Sequence, residues 1–370
     1  MNGRQRIANI LNKKPVDRLS WTTLADDASR SLMPEPLRSC PVLDFYRNIG
    51  CDILQFGNSA LAARQCAAMP FRRVTPAAIE SVCDADGTWR ARTVTRWGTL
   101  ESAWRGGHPV KYPIADAADL AVALNLWRAT HVEEVAGEEP EASAQRAIAA
   151  VGDDGMYMLT LEPSPVQQLI EIDIGLENFY YLLADRRGDL QQLLDAMHAV
   201  RMAEYAIVAR RMPVEAVCPV ENTSSTLTSP DIYERYSLPQ IRDLVSVMHA
   251  GGKKVILHMC GLLRNLLPLI LQTGLDGINA ATPPTVGDAP FEHILDVAGE
   301  DMVLLGAIFN PNVFQKPGAT RDEIWRELDR TYTPRLRKAN MVLWLGVDGL
   351  PTPLERFEAV RDWMAANGRF

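Results

Sequence analysis

A histidine and a cysteine two positions apart, His258 and Cys260 in the run KVILHMCGL, are the residues of this chain best suited to do chemistry. The run reads as a strand, and residues i and i+2 of a strand project to the same side. A neutral imidazole beside a thiolate suits a borderline-soft cation such as Zn²⁺. Read more plainly, the same pair is a buried thiol and a hydrogen-bonded imidazole at a strand end. Gly261 lets the chain turn away sharply after the pair. Other strand-like runs also end in polar residues: Glu221 and Asn222 follow AVCPV, Asn279 closes GIN, Asn310 follows LLGAIF and Asp348 follows LWLGV. Each of these can equally cap a helix or satisfy loop backbone. Glu162 follows MYMLTL and leads into Ser164 and Pro165, which read as an N-cap and a first helical residue. Trp21, in the first strand, is a candidate for lining a pocket.

Several other chemistries lack their signatures. The chain has no G-x-G-x-x-G, no G-x-x-x-x-G-K-[ST], no G-x-S-x-G and no H-E-x-x-H. Nicotinamide, P-loop nucleotide, serine-hydrolase and zincin readings lose weight accordingly. His108, His131, His198, His249 and His293 fall in ribbon or helical segments and read as surface or satisfied histidines. Trp89, Trp97, Trp104, Trp127, Trp325, Trp344 and Trp363 read as packing residues.

The elements that must position the polar strand ends are legible. Eight short apolar runs are predicted as strands: Leu19–Leu24, Asp52–Phe56, Met156–Leu161, Ala216–Val220, Lys254–His258, Gly277–Ala280, Met302–Leu305 and Met341–Leu345. Parallel strands buried on both faces look like this, without clean alternation. Helical patterns fill most of the gaps. Gly3–Leu11 opens the chain as an amphipathic helix. Ser229 and Pro230 start a helix that Gly251 and Gly252 end, and Arg264–Gln272 closes at Gly274. Residues 85–112 alternate and read as a β-ribbon, and 113–150, rich in Ala and Glu, read as exposed helices. The fold class expected is α/β, a (β/α)8 barrel spanning 1–370, with an N-terminal helical extension at 1–17 and an inserted ribbon and helices at 85–150. In that fold the polar strand ends gather at one mouth. A doubly wound sheet would need a glycine loop after the first strand, where the chain reads LADDAS.

Composition narrows the classes further. The net charge of −8 argues against a nucleic-acid surface, which needs clustered Lys and Arg. With 47% apolar and 23% charged residues, the chain can bury a large core and is not of disordered type. No apolar run is long enough to span a membrane. The N-terminus has no signal-peptide pattern and the six cysteines are scattered, so reduced thiols in the cytoplasm are expected.

Three stretches carry a resemblance. Val220–Asn222, Leu227–Pro230, Leu238–Pro239 and Lys253–Gly261 together resemble the uroporphyrinogen decarboxylase superfamily, in its cobalamin-linked, methylcobamide methyltransferase-like branch. RQRIANILNKKPVDRLSW resembles the opening helix and turn into strand one, and Gly346–Leu354 the closing loop after strand eight. The resemblance implies a (β/α)8 barrel with N-terminal helices. It also implies a zinc ion held by H-x-C and a later Cys, activating a thiol that accepts a methyl group from a corrinoid. His258 and Cys260 match two ligands. The later Cys falls on Asp348, so the implied set is His258, Cys260 and Asp348, which Glu221 could complete. A zinc with fewer thiolates is a stronger Lewis acid, which favours a methyl-ether or phenol oxygen over a coenzyme thiol. The expected function is a zinc-dependent methyltransferase acting between a small methylated donor or acceptor and a corrinoid. Glu221 and Asn222 are its candidate catalytic residues; Trp21, Glu162, Asn279 and Asn310 are candidates for binding substrate. No D-x-H-x-x-G sequence occurs, so the corrinoid is expected on a separate protein, and a homodimer is allowed. Porphyrinogen decarboxylation is the alternative, but the segment after strand one (DDASR) has one arginine and two acids to meet a polycarboxylate. A non-catalytic barrel that binds a corrinoid protein is the third reading.

Overall fold

A computed structural model describes residues 1–56, 67–347 and 349–369. All eight expected strands are present: β1 (Ser20–Leu24), β2 (Ile53–Phe56), β3 (Gly155–Leu161), β4 (Ala216–Pro219), β5 (Lys254–His258), β6 (Gly277–Asn279), β7 (Val303–Ile308) and β8 (Asn340–Gly346). They form one sheet in the order β1-β8-β7-β6-β5-β4-β3-β2, every recorded pairing parallel. The seam between β1 and β2 is drawn together by Asp52 N–H donating to Trp21 O at 2.9 Å and Leu54 N–H donating to Thr22 Oγ1 at 3.2 Å. The result is a nearly closed (β/α)8 barrel. Strand β7 runs beyond the expected Leu305 because Gly306, at φ +107°, absorbs a bulge and the ladder resumes at Ala307.

Alternation along the strands separates two apolar layers. Leu54, Met156, Met158, Cys218, Ile256, Val303, Leu305, Val342 and Trp344 pack together inside the barrel. Trp21, Tyr157, Val217, Leu257, Ile278 and Leu343 belong to the layer between strands and helices. The first helix, Gly3–Leu11, closes the bottom, with Ile7, Ile10 and Leu11 buried in the interior cluster. Each such side chain contributes about 1.5–3 kcal/mol by leaving water. Its start is held by a capping box between Asn2 and Gln5. Beneath the strands, Asp52 accepts from Arg6 at 2.6 Å, Arg18 at 2.7 Å and Ser20 at 2.7 Å, a buried charge satisfied on several sides.

The segment between β2 and β3 differs in detail from expectation. The ribbon is a four-stranded antiparallel sheet beginning at Ala78, not residue 85, and ending at Lys111. The helices Ala117–Ala129 and Glu139–Val151 are not simply exposed: Leu120, Ala123, Leu124, Ala144 and Ala147 are buried. Alanine hides the apolar face from a polarity reading while allowing close packing. A strand pair, Phe71–Val74 with His131–Glu134, was not expected. Trp89 is half exposed on the ribbon rather than packed. Among the described residues, no helix is long and apolar enough to cross a membrane.

Two helices on the mouth side contain a π turn, Leu169–Asp173 after Pro165–Gln168 and Tyr233–Ser237 between Pro230–Ile232 and Leu238–Ala250. Such turns re-aim side chains by one residue. Here they carry Glu171 and Tyr233.

Candidate functional site

His258 ends β5 on the interior side, where its ring meets Trp344 of β8 edge to face at 6.3 Å. Its Nδ1 lies 2.7 Å from Asn279 Oδ1. The Asn279 Nδ2 donates to Leu305 O at 2.6 Å, so Oδ1 is the acceptor and Nδ1 of His258 carries the proton. The lone pair is therefore on Nε2. This is how a metal-ligating imidazole is usually oriented, by a carbonyl oxygen behind it. Asn279 is fully buried at the end of β6, and the bulge glycine lies against it. A Cβ on Gly306 would come 2.3 Å from Asn279 Nδ2.

Cys260 lies beyond the strand, exposed in the mouth, with Sγ 3.7 Å from Asn222 Oδ1. Surrounding protein pushes its thiol pKa up by desolvation, with the Glu171 charge adding. Gly261 has a reason other than the sharp turn expected of it: a Cβ there would stand 2.3 Å from Ser224 Cβ and 2.5 Å from Thr223 O. The loop after β4 thus packs directly on the strand carrying His258 and Cys260. Its backbone joins in, since the N–H groups of Glu221 and Asn222 both donate to His258 O, at 3.1 and 3.0 Å. Asn222 adopts φ +42°, a left-handed conformation that asparagine tolerates, and its Nδ2 donates to Glu171 Oε2 at 3.3 Å.

Glu221 is fully buried. Ser164 N–H donates to its Oε1 at 2.7 Å and Ser164 Oγ–H to its Oε2 at 2.8 Å. Desolvation pushes its pKa up to about 7, the Glu171 charge adds to the rise, and the Ser164 bonds oppose it. This corrects one expectation: Ser164 makes no side-chain cap to its helix, because its hydroxyl is spent on Glu221. Both Glu221 oxygens accept from Ser164.

The remaining candidates separate. Trp21 does not line the mouth: it is buried in the layer facing the helices, since Ser20 and Thr22 take the alternate face. Asn310 caps the helix Pro311–Phe314 through Asn312 N–H and donates to Glu327 Oε1 at 3.0 Å. Glu162 turns to two arginines, Arg73 and Arg201, beside the mouth. Asp348 lies outside the described residues. Among the described residues, no three His, Cys, Asp or Glu side chains converge as a metal cage. His258, with Asn279 behind its imidazole, and Cys260 are of the donor types that zinc takes.

Sequence reading missed Glu171, which the π turn brings to Asn222. Trp344 is a packing residue, as expected: it is buried in the interior cluster and stacks on Phe56 at 5.7 Å, and its buried Nε1 has no hydrogen-bond partner among the described residues.

Residues 169–365 match the family model described as uroporphyrinogen decarboxylase (URO-D). Among solved structures, a methyltransferase from Methanosarcina mazei is similar over 99% of this chain and 99% of its own, at 15% identity and TM-score 0.60. A D-psicose 3-epimerase with D-fructose aligns over 61% of this chain and 81% of its own, at 11% identity and TM-score 0.34. No curated protein matches in sequence.

Proposed function

The chain belongs to the uroporphyrinogen decarboxylase family, and we propose that within it this barrel is a methyltransferase moving a methyl group between a small substrate and a corrinoid carried on a separate protein. The observation that carries the reading is the Leu305–Asn279–His258 relay, which orients the His258 ring at the end of β5, two residues before Cys260. His258 and Cys260 would hold Zn²⁺, with Asp348 as the third donor. Bound there, zinc lowers the pKa of a thiol or polarises an ether or phenol oxygen. The similarity in fold to a methyltransferase supports the same reading.

The chain's own residues supply the rest. Asn222 holds the Cys260 thiol from one side and joins it to Glu171. Glu221, its pKa pushed up to about 7 by burial, can hold a proton near neutral pH next to Asn222, the residue that meets the thiol. Trp344, edge to face with His258, and Phe56 keep the barrel interior behind the imidazole apolar. Decarboxylation of a polycarboxylate finds less support. Arg30, the arginine of the segment after β1, is buried and donates to Asp27 and Cys40 O instead of facing the mouth.

The test is metal analysis of the purified protein joined to a methyl-transfer assay with a methylated corrinoid. About one zinc per chain is expected, lost in Cys260→Ser and His258→Gln together with transfer. A protein that stays metal-free when supplied with zinc, or that converts uroporphyrinogen instead, would overturn the proposal.

A further inference from the structure

Beside the mouth, at the ends of β3 and β4, lies a cavity of about 460 Å³. Its floor is Thr160, Leu161, Pro163 and Val220, so it lies within one or two residues of both Ser164 and Glu221. Three arginines line it: Arg72, which is exposed and paired with Glu133, and two that share the carboxylates of the cavity, Arg73 from the unexpected strand pair and Arg201 from the helix Arg187–Arg211. They are not equally served by the two carboxylates around them. Glu204 is buried and holds Arg73 through both oxygens, Oε2 also accepting from Arg201 Nη1 at 3.1 Å. Glu162 is 58% exposed and meets both guanidinium groups through a single oxygen, Oε2, at 2.7 Å from Arg73 Nη2. Arg201 is only 1% exposed, and its buried Nε has no acceptor among the described residues.

The charges decide what this arrangement wants. The buried Arg201 and the partly exposed Arg73 carry two positive charges, which two carboxylates balance. Glu204 is a fixed partner. Glu162 is exposed and bonded through one oxygen only, so leaving costs it little, and its departure would leave Arg73 and Arg201 with Glu204 as their one carboxylate, in a cavity whose apolar wall is Met69, Phe71 and Tyr205. We propose that this cavity anchors the carboxylate of a small, apolar-bodied acid, and that Glu162 is a built-in stand-in which the incoming carboxylate displaces from Arg73 and Arg201. The volume is of the size that holds a small organic ligand. The proposal deepens the methyltransferase reading by naming the substrate class as a monocarboxylate. Binding can nevertheless be read without metal, corrinoid or turnover.

Calorimetric titration with benzoate, and with benzamide as its uncharged counterpart, tests it. Removing the internal competitor in Glu162→Ala should tighten benzoate by about ten-fold or more and leave benzamide unchanged. Adding Arg73→Gln to that variant should abolish the gain. Because Glu162 is exposed, Glu162→Ala should fold, and the benzoate-to-benzamide contrast in it decides even if the double variant does not. Equal binding of the two ligands, or weaker benzoate binding in Glu162→Ala, overturns the proposal. Benzoate binding as expected, in a protein that transfers no methyl group, would sink the methyltransferase reading alone. Methyl transfer with no preference for benzoate would sink this one alone.

Discussion

Replacing Glu221 by glutamine should make the protein more stable at neutral pH and leave it nearly unchanged in acid. The carboxyl is fully buried, and its pKa stands at about 7 against an ordinary 4.5. Between those values the folded chain holds a proton that the unfolded chain has released. Stability therefore falls as pH rises from 4.5 to about 7 and is level above. A rise of about 2.5 pH units, at about 1.4 kcal/mol each, is worth about 3 kcal/mol. Glutamine keeps the shape, can accept from Ser164 N–H and carries no charge to desolvate. Urea unfolding from about pH 4 to about pH 8, taken as the difference between variant and wild type, cancels the other titrating groups. The difference should grow from near zero to about 3 kcal/mol in favour of the variant. A difference of the opposite sign would mean that the two Ser164 bonds outweigh desolvation and hold Glu221 as a buried anion. The proton-handling role given to it would then fail.

Gly306→Ala forces a Cβ within 2.3 Å of Asn279 Nδ2 at a φ of +107°, so a loss of about 3 kcal/mol and a lowered thermal midpoint are expected. Asn279→Leu strips the acceptor from His258 Nδ1 and leaves Leu305 O buried without its donor. It should cost about 2–4 kcal/mol in urea unfolding and weaken zinc about 10- to 100-fold in a chelator competition. Arg6→Met removes one of the cations holding the buried Asp52, and a destabilisation of about 3 kcal/mol is expected at pH 7, read by denaturant midpoint.

Much of the barrel is legible from the residues alone. Strands such as Lys254–His258 are short apolar runs because both of their faces are covered, and a polar residue can follow only where the strand leaves the core. That is why His258, Cys260, Glu221, Asn222 and Asn279 could be assigned to one end of the fold before any packing was known. The same double burial hides which face is which. Trp21 and Trp344 are both apolar residues in buried strands, yet one faces the helices and the other the barrel interior.

What only the tertiary structure decided are pairings between residues far apart in the chain. Ser164 and Glu221 are 57 positions apart, and the local pattern around Ser164 reads as a helix start, which it is, without revealing where its hydroxyl goes. Arg73, Glu162, Arg201 and Glu204 become one cluster only when a strand pair, a strand end and a long helix meet. Residue type sets what a side chain can donate, accept or ionise. The free energy of doing so depends on desolvation and neighbouring charge, and both are supplied by parts of the chain that local sequence does not see.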